Sequence, residues 1–201
     1  VLLGREAEVE LLHQLCREVE GGSGRCVVIS GEAGMGKSRL ALELQDHLAA
    51  CAWRVHCGYC YSHTVADPFA PWIHVLTSFF DISPTDSIDT RTEKVLAALE
   101  RLGPDLVETA PLLNTLLTVS IPQTDVVRSL DAEKRGRRLF QLVQEVLQAA
   151  SADSPLAVLL EDLHWADHSS VGLINYIARS LGSFRILLCL THRPKEGLGL
   201  D

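Results

Sequence analysis

Gly31-Glu32-Ala33-Gly34-Met35-Gly36-Lys37-Ser38 stands between a short apolar run, Val27-Val28-Ile29, and a helix-forming stretch from Arg39 to Ala49. It fits G-x-x-x-x-G-K-[ST]. Strand, glycine loop, helix is the context in which that pattern cradles phosphate. Glycines let the backbone approach an anion and take dihedrals closed to other residues. Successive N–H groups and the N-terminus of the following helix then face the phosphate. Lys37 is expected to reach the β- and γ-phosphates, and the Ser38 hydroxyl to bind Mg²⁺. From ordinary residue usage, a chance match in a chain of this length is about a one-in-a-hundred event.

Outward from the loop the chain alternates strands and helices. Upstream, Arg5 to Val19 reads as a helix, with Val9, Leu12, Cys16 and Val19 at helical spacing. Gly21-Gly22-Ser23-Gly24 ends it. Downstream, Trp53 to Cys57 reads as a second strand. Residues 58–155 then form an interval far longer than a crossover needs. It reads as a helical insert, with helices expected over Pro71–Phe80, Thr90–Leu102, Pro104–Thr118 and Leu130–Ala150. Leu156-Ala157-Val158-Leu159-Leu160 runs apolar without alternation, as a strand buried on both faces of a parallel sheet does. A helix over Ser169–Leu181 and a fourth buried strand, Arg185–Leu190, complete the pattern. The expected fold is α/β: a three-layer P-loop sandwich around a mostly parallel sheet. Ligands bind beyond the carboxyl ends of such strands. The glycine loop, Glu161-Asp162 and Thr191–Arg193 all fall on that edge.

The bulk numbers narrow the class. At 201 residues, 47% hydrophobic and 22% charged, the chain has the composition of a soluble domain with a real core. A net charge of −8 argues against a nucleic-acid surface, and no apolar run reaches the length of a membrane span. No basic n-region with a cleavage site opens the chain, so a secretory signal is not expected. Beginning at Val1 and stopping in Gly-Leu-Gly-Leu-Asp, it reads as part of a longer protein. Its six cysteines do not resemble a disulfide framework, and a cytoplasmic location is expected.

An apolar strand ending in Glu161-Asp162 is a Walker B pattern: one acid helps hold Mg²⁺ and its neighbour can orient or deprotonate the attacking water. The wider string Leu160-Glu161-Asp162-Leu163-His164-Trp165-Ala166-Asp167 is more specific. Together with Gly4-Arg5-Glu6, the glycine loop, Pro68-Phe69-Ala70-Pro71-Trp72 and Glu133 to Phe140, it resembles the STAND group of AAA+-related P-loop ATPases. The look-alikes are modules attached to class III adenylate/guanylate cyclases, to bacterial kinases and to large LuxR-type regulators.

The resemblance implies ATP or ADP as ligand, with Mg²⁺. Gly4 and Arg5 would lie near adenine and ribose. Gly31, Ala33, Gly34, Met35, Gly36, Lys37, Ser38 and Arg39 would hold the nucleotide, with Ser38 and Glu161 on the metal. Asp162 would be the catalytic acid and Arg193 the sensor of the γ-phosphate. The metal acid of P-loop proteins is more usually Asp, so either member of the Glu161-Asp162 pair can take the Mg²⁺ role. The family's sheet places the fourth strand between the first and third, with a fifth flanking the first. No fifth strand, helical lid or winged helix is read before Asp201, which leaves an incomplete site and an exposed sheet edge. The resemblance also implies other domains of the same chain as partners: an effector domain, a winged helix and, as further candidates, helical repeats or a second copy of the chain. Such a module is a regulatory switch in signalling. An origin-recognition-like replication ATPase and a non-hydrolysing nucleotide scaffold are the alternatives.

Other residues have plainer readings. His56, Cys57, Cys60 and His63 have partial metal-ligand spacing but no second pair, so packed thiols are expected. Arg128, Lys134, Arg135, Arg137 and Arg138 read as a solvated helix face rather than an arginine finger. His164 and Trp165 either order the loop at the γ-phosphate or pack the strand–helix turn. Asp167 is expected to cap the next helix, Glu32 to face solvent, and Trp72, Phe79 and Phe80 to fill the core of the insert.

Overall fold

The computed structural model describes residues 4–62 and 67–194; Leu2, Leu3 and His63 lie outside them. Four strands, β1 (Arg25–Ser30), β2 (Arg54–Tyr59), β3 (Leu156–Glu161) and β4 (Ile186–His192), form one sheet. Helices α1 (Glu6–Glu20) and α2 (Lys37–Ala50) flank β1 in the chain. The insert carries α3 (Ala70–Phe79), α4 (Ile88–Leu102), α5 (Pro104–Val107), a 3₁₀ turn (Ala110–Thr115), α6 (Asp125–Arg128) and α7 (Ala132–Ser151). Helix α8 (His168–Ala178) joins β3 to β4.

All pairs are parallel and the spatial order is β1-β4-β3-β2. The strand made last of the four therefore lies inside the sheet, beside the strand that carries the glycine loop. Cys26 faces Leu188 across that pair, and Ser30 faces His192 at its mouth. On its other side β1 pairs with no strand among the described residues.

Side-chain alternation sorts the core to the two faces. Leu156, Val158 and Leu160 of β3, with Ile186, Leu188 and Leu190 of β4, join the insert helices and α8 in the larger core. Ala157, Leu159, Leu187 and Cys189 point the other way, onto Leu12, Cys16, Val19, Leu40, Leu44 and Leu48 of α1 and α2. Trp72 is fully buried in the larger core, with its indole N–H donating to the Ser170 carbonyl at 3.2 Å. Phe80 is buried there and Phe79 packs against it. Gly58 of β2 is required by close approach: a Cβ would stand 2.3 Å from the Pro71 carbonyl oxygen at the start of α3. That contact seats the insert against the edge of the sheet.

Local chemistry sets the helix starts. Ser87, Thr124, Asp131 and Asp167 each accept a backbone N–H from the first turn of α4, α6, α7 and α8. One expectation fails: Pro104–Thr118 is not a single helix. α5 stops at Val107, and Pro111, which has no N–H to donate, opens a separate 3₁₀ turn. The short α6 is an addition, and α8 ends at Ala178 rather than Leu181. β4 runs two residues past Leu190, because Thr191 and His192 pair with Ile29 and Ser30.

Candidate nucleotide site

The glycine loop leaves β1 at the carboxyl edge of the sheet. The Gly31 N–H donates to the His192 carbonyl at 3.3 Å, carrying the β1–β4 pairing into the mouth of the loop. Gly34 and Gly36 hold left-handed dihedrals, φ 79° and 80°, which turn the chain so that α2 begins at Lys37. Lys37 is buried, and its ammonium donates to the carbonyls of Gly31 at 2.8 Å and Glu32 at 3.1 Å. The positive charge is thus held at the base of the loop. The Glu32 side chain faces solvent.

A cavity of about 300 Å³ opens over the loop. Ala33, Gly34, Gly36, Lys37, Ser38 and Arg39 form one wall; Asp162 and Arg193 form the other. Residues 123 to 160 positions apart in sequence thus meet at one concave, basic mouth. Met35 and Gly31 support this wall from outside the cavity lining.

The acidic pair divides between the two sides. Glu161 ends β3, with its carboxylate close to the Ser38 side chain. Burial pushes its carboxyl up from the usual 4.5; the Ser38 hydroxyl acts against this and the Asp162 charge adds to it. Asp162 breaks out of the strand in a left-handed conformation, φ 58°, one that Asp tolerates better than most residues. Its N–H is held by the Thr191 hydroxyl at 3.0 Å. Thr191 is a buried polar residue at the end of an apolar strand. That signal is visible in sequence and identifies a side chain that must find a partner.

The residues fit a hard divalent cation. A hydroxyl and a carboxylate converge, both oxygen donors of the kind Mg²⁺ prefers. A half-buried carboxylate whose charged form is disfavoured is also what a cation would relieve.

Arg5 is tied to the glycine loop itself. Its guanidinium donates to the Met35 carbonyl at the tip of the glycine loop, and it lies 3.8 Å from Glu8. Gly4 is left-handed at φ 80°, with its N–H on the Glu6 carboxylate at 3.1 Å. Neither residue lines the cavity. The stretch before α1 is therefore tied to the loop by a side chain.

Behind the acids, His164 and Trp165 lie in a 3₁₀ turn, with ring centroids 5.0 Å apart. His164 Nδ1 is 3.9 Å from the Asp162 carboxylate. Asp167 caps α8 through the Ser170 N–H at 3.0 Å and also accepts from the Ser170 hydroxyl. Its second oxygen accepts the Phe69 N–H at 3.0 Å. Phe69 itself is left-handed, φ 64°. One carboxylate therefore joins the acid loop, α8 and the start of the insert, a link no sequence pattern announces.

The remaining candidates lie elsewhere. Cys60 is buried, Cys57 is half-buried beside the Tyr59 hydroxyl, and no cluster of metal-ligand residues occurs among the described residues. The basic residues near the start of α7 are mostly exposed. No helix among the described residues is long and apolar enough to cross a membrane.

Comparison with known proteins places this geometry. The model of the AAA ATPase domain family matches residues 1–190. An uncharacterised protein of Rhizobium meliloti (strain 1021) is 29% identical over 196 residues. That alignment covers 96% of this chain and 18% of the relative, so the chain spans under a fifth of that protein's length. The chain belongs to the AAA ATPase domain family, and is a nucleotide-binding P-loop ATPase module.

Proposed function

From membership of the AAA ATPase domain family, we propose that the chain is an ATP-binding, slowly hydrolysing switch of the STAND type, set within a longer signalling protein. One observation carries this reading: Asp162 and Arg193 face the glycine loop across one cavity, while Ser38 joins Glu161 beside it. The small share of the Rhizobium relative that aligns supports a setting among other domains.

In this reading the loop N–H groups and Lys37 hold the β- and γ-phosphates. Ser38 and Glu161 hold Mg²⁺, which when bound neutralises phosphate charge. Asp162, fixed by Thr191, orients the attacking water and accepts its proton at the carboxylate as the bond from the γ-phosphorus to the bridging oxygen breaks. Arg193 meets the γ-phosphate. Because it directly follows β4, loss of that phosphate changes the restraint on the chain beyond it. ATP- and ADP-bound forms then differ in how this domain meets its neighbours, and the output belongs to an effector domain. A cytoplasmic setting suits this role.

The test separates binding from turnover. Lys37→Ala is expected to weaken MgATP binding at least about 100-fold, some 2.7 kcal/mol, by calorimetry. Equal binding by wild type and variant sinks the site. Asp162→Asn should keep binding and slow hydrolysis; if Glu161→Gln alone stops turnover, the two acids exchange roles.

A further inference from the structure

The basic stretch around the start of α7 is unevenly paired. Arg128 meets Asp125 at 2.8 Å, Lys134 meets Asp131 at 3.0 Å, Arg137 meets Glu133 at 2.9 Å and Arg138 meets Glu145 at 2.9 Å. Arg135 sits among them with no carboxylate partner among the described residues. Its Nε donates to the Leu130 carbonyl at 3.0 Å, which fixes the guanidinium against the loop before α7. Its terminal Nη groups make no hydrogen bond among the described residues, and the residue is exposed.

Beside them is a cavity of about 340 Å³ that shares no lining residue with the nucleotide cavity. Small-molecule pockets run from about 300 to 1,000 Å³. Phe69, Leu112, Val127 and Leu139 make its walls apolar; Arg135 and Gln123 are polar groups at its lining. Three of the apolar walls, Leu112, Val127 and Leu139, belong to the buried core of the insert, so the cavity is built on packed elements rather than on loose side chains.

Gly136 adds a second, independent observation. It lies inside α7, where glycine is the poorest choice after proline. Nothing lies within 4 Å of the place its Cβ would occupy, and its φ is not of the kind that demands glycine. The residue also lines the cavity. The helix therefore forgoes a side chain at a point where one would project into open space at the cavity wall.

We propose that this cavity binds a small ligand with an apolar body and a single anionic head, the head on the Arg135 guanidinium and the body against Leu112, Val127 and Leu139. A planar cation with free donors takes a carboxylate through charge-assisted hydrogen bonds, and the apolar walls take the chain that follows it. The class is that of medium-chain carboxylates. The proposal does not depend on the switch reading of the nucleotide site.

Octanoate is the probe, titrated into the full chain by calorimetry and followed on the methyl resonances of Leu112, Val127 and Leu139. Saturable binding of one equivalent that shifts those methyls is expected. Octanol should bind at least tenfold more weakly, Arg135→Gln should weaken octanoate at least tenfold, and Arg135→Lys should restore part of it. Gly136→Phe should block the cavity; should that variant misfold on melting, Arg135→Gln still decides. MgATP should leave octanoate in place. The proposal is overturned if no saturation appears by about 10 mM. It is equally overturned if octanol matches octanoate, if Arg135→Gln binds as wild type does, or if MgATP displaces the probe.

Discussion

The two faces of the sheet are covered to different depths. On one, α3, α4, α7 and α8 bury a continuous core from Trp72 and Leu99 to Leu142, Leu147 and Leu173. On the other, α1 and α2 cover a smaller cluster, which the strands meet with Ile29, Ala157, Leu159, Leu187 and Cys189. Leu11 of α1 and Leu42 of α2 are 52% and 45% exposed. The nucleotide loop belongs to the thin side. Stability and nucleotide chemistry are thus largely segregated: the insert anchors the sheet, and the glycine loop rides on its less covered face.

The contrast is tested most severely by Trp72→Ala. Emptying a fully buried indole site should cost about 3–5 kcal/mol in urea unfolding. Leu11→Ala on the opposite side should stay within about 0.5 kcal/mol. Comparable losses would mean that the two faces share the load.

A smaller effect is expected where the two regions touch. Asp167→Ala removes the α8 cap and the acceptor for Phe69, and should cost about 1–2 kcal/mol in the same assay. Asp167→Asn, which keeps an oxygen acceptor, should recover part of that loss. A neutral result from the alanine variant would show that the insert and the acid loop are not coupled through this carboxylate.

The smallest effects are pH slopes, and they have opposite signs. His56, on the insert-facing side of β2 beside Ser78 and Phe79, is pushed down from 6.5 to about 4 by burial and by the Arg54 charge. The unfolded chain therefore binds a proton in that window that the folded chain refuses. Stability is full above pH 6.5 and falls as pH drops toward 4. Glu161 is shifted upward from 4.5, so the folded chain keeps its proton longer. Its contribution to stability falls as pH rises above 4.5. In nucleotide-free protein, His56→Gln should flatten the acid limb of a stability–pH curve and Glu161→Gln the opposite limb. If either variant leaves its limb unchanged, the shift assigned to that group is wrong.

Much of the strand plan was legible because buried parallel strands read as unbroken apolar runs: Leu156–Leu160 and Ile186–Leu190 need no partner to be recognised. The convergence of the glycine loop, Asp162 and Arg193 followed from the rule that ligands sit beyond strand carboxyl ends. What stayed hidden depends on contacts between distant residues. Arg5 on the Met35 carbonyl, Thr191 on the Asp162 N–H and Phe69 on Asp167 join positions 29 to 98 apart in sequence. The break between α5 and the 3₁₀ turn has one mark in sequence, Pro111, inside a stretch that otherwise reads as helical. The extra length of β4 could not be read from β4 at all, since Ile29 and Ser30 create it.

The strand order has a kinetic consequence. Two of the three pairings join remote segments: Arg54 meets Leu156, and Arg25 meets Leu187. No two strands can associate as a local hairpin, and sheets built from such distant pairings fold slowly. During synthesis β1 and its glycine loop emerge early, yet the inner position beside them stays vacant until β4 is made. Asp162 likewise waits for Thr191. A nascent chain therefore carries its phosphate loop long before it carries a phosphate site, and nucleotide can reward folding only at the last step.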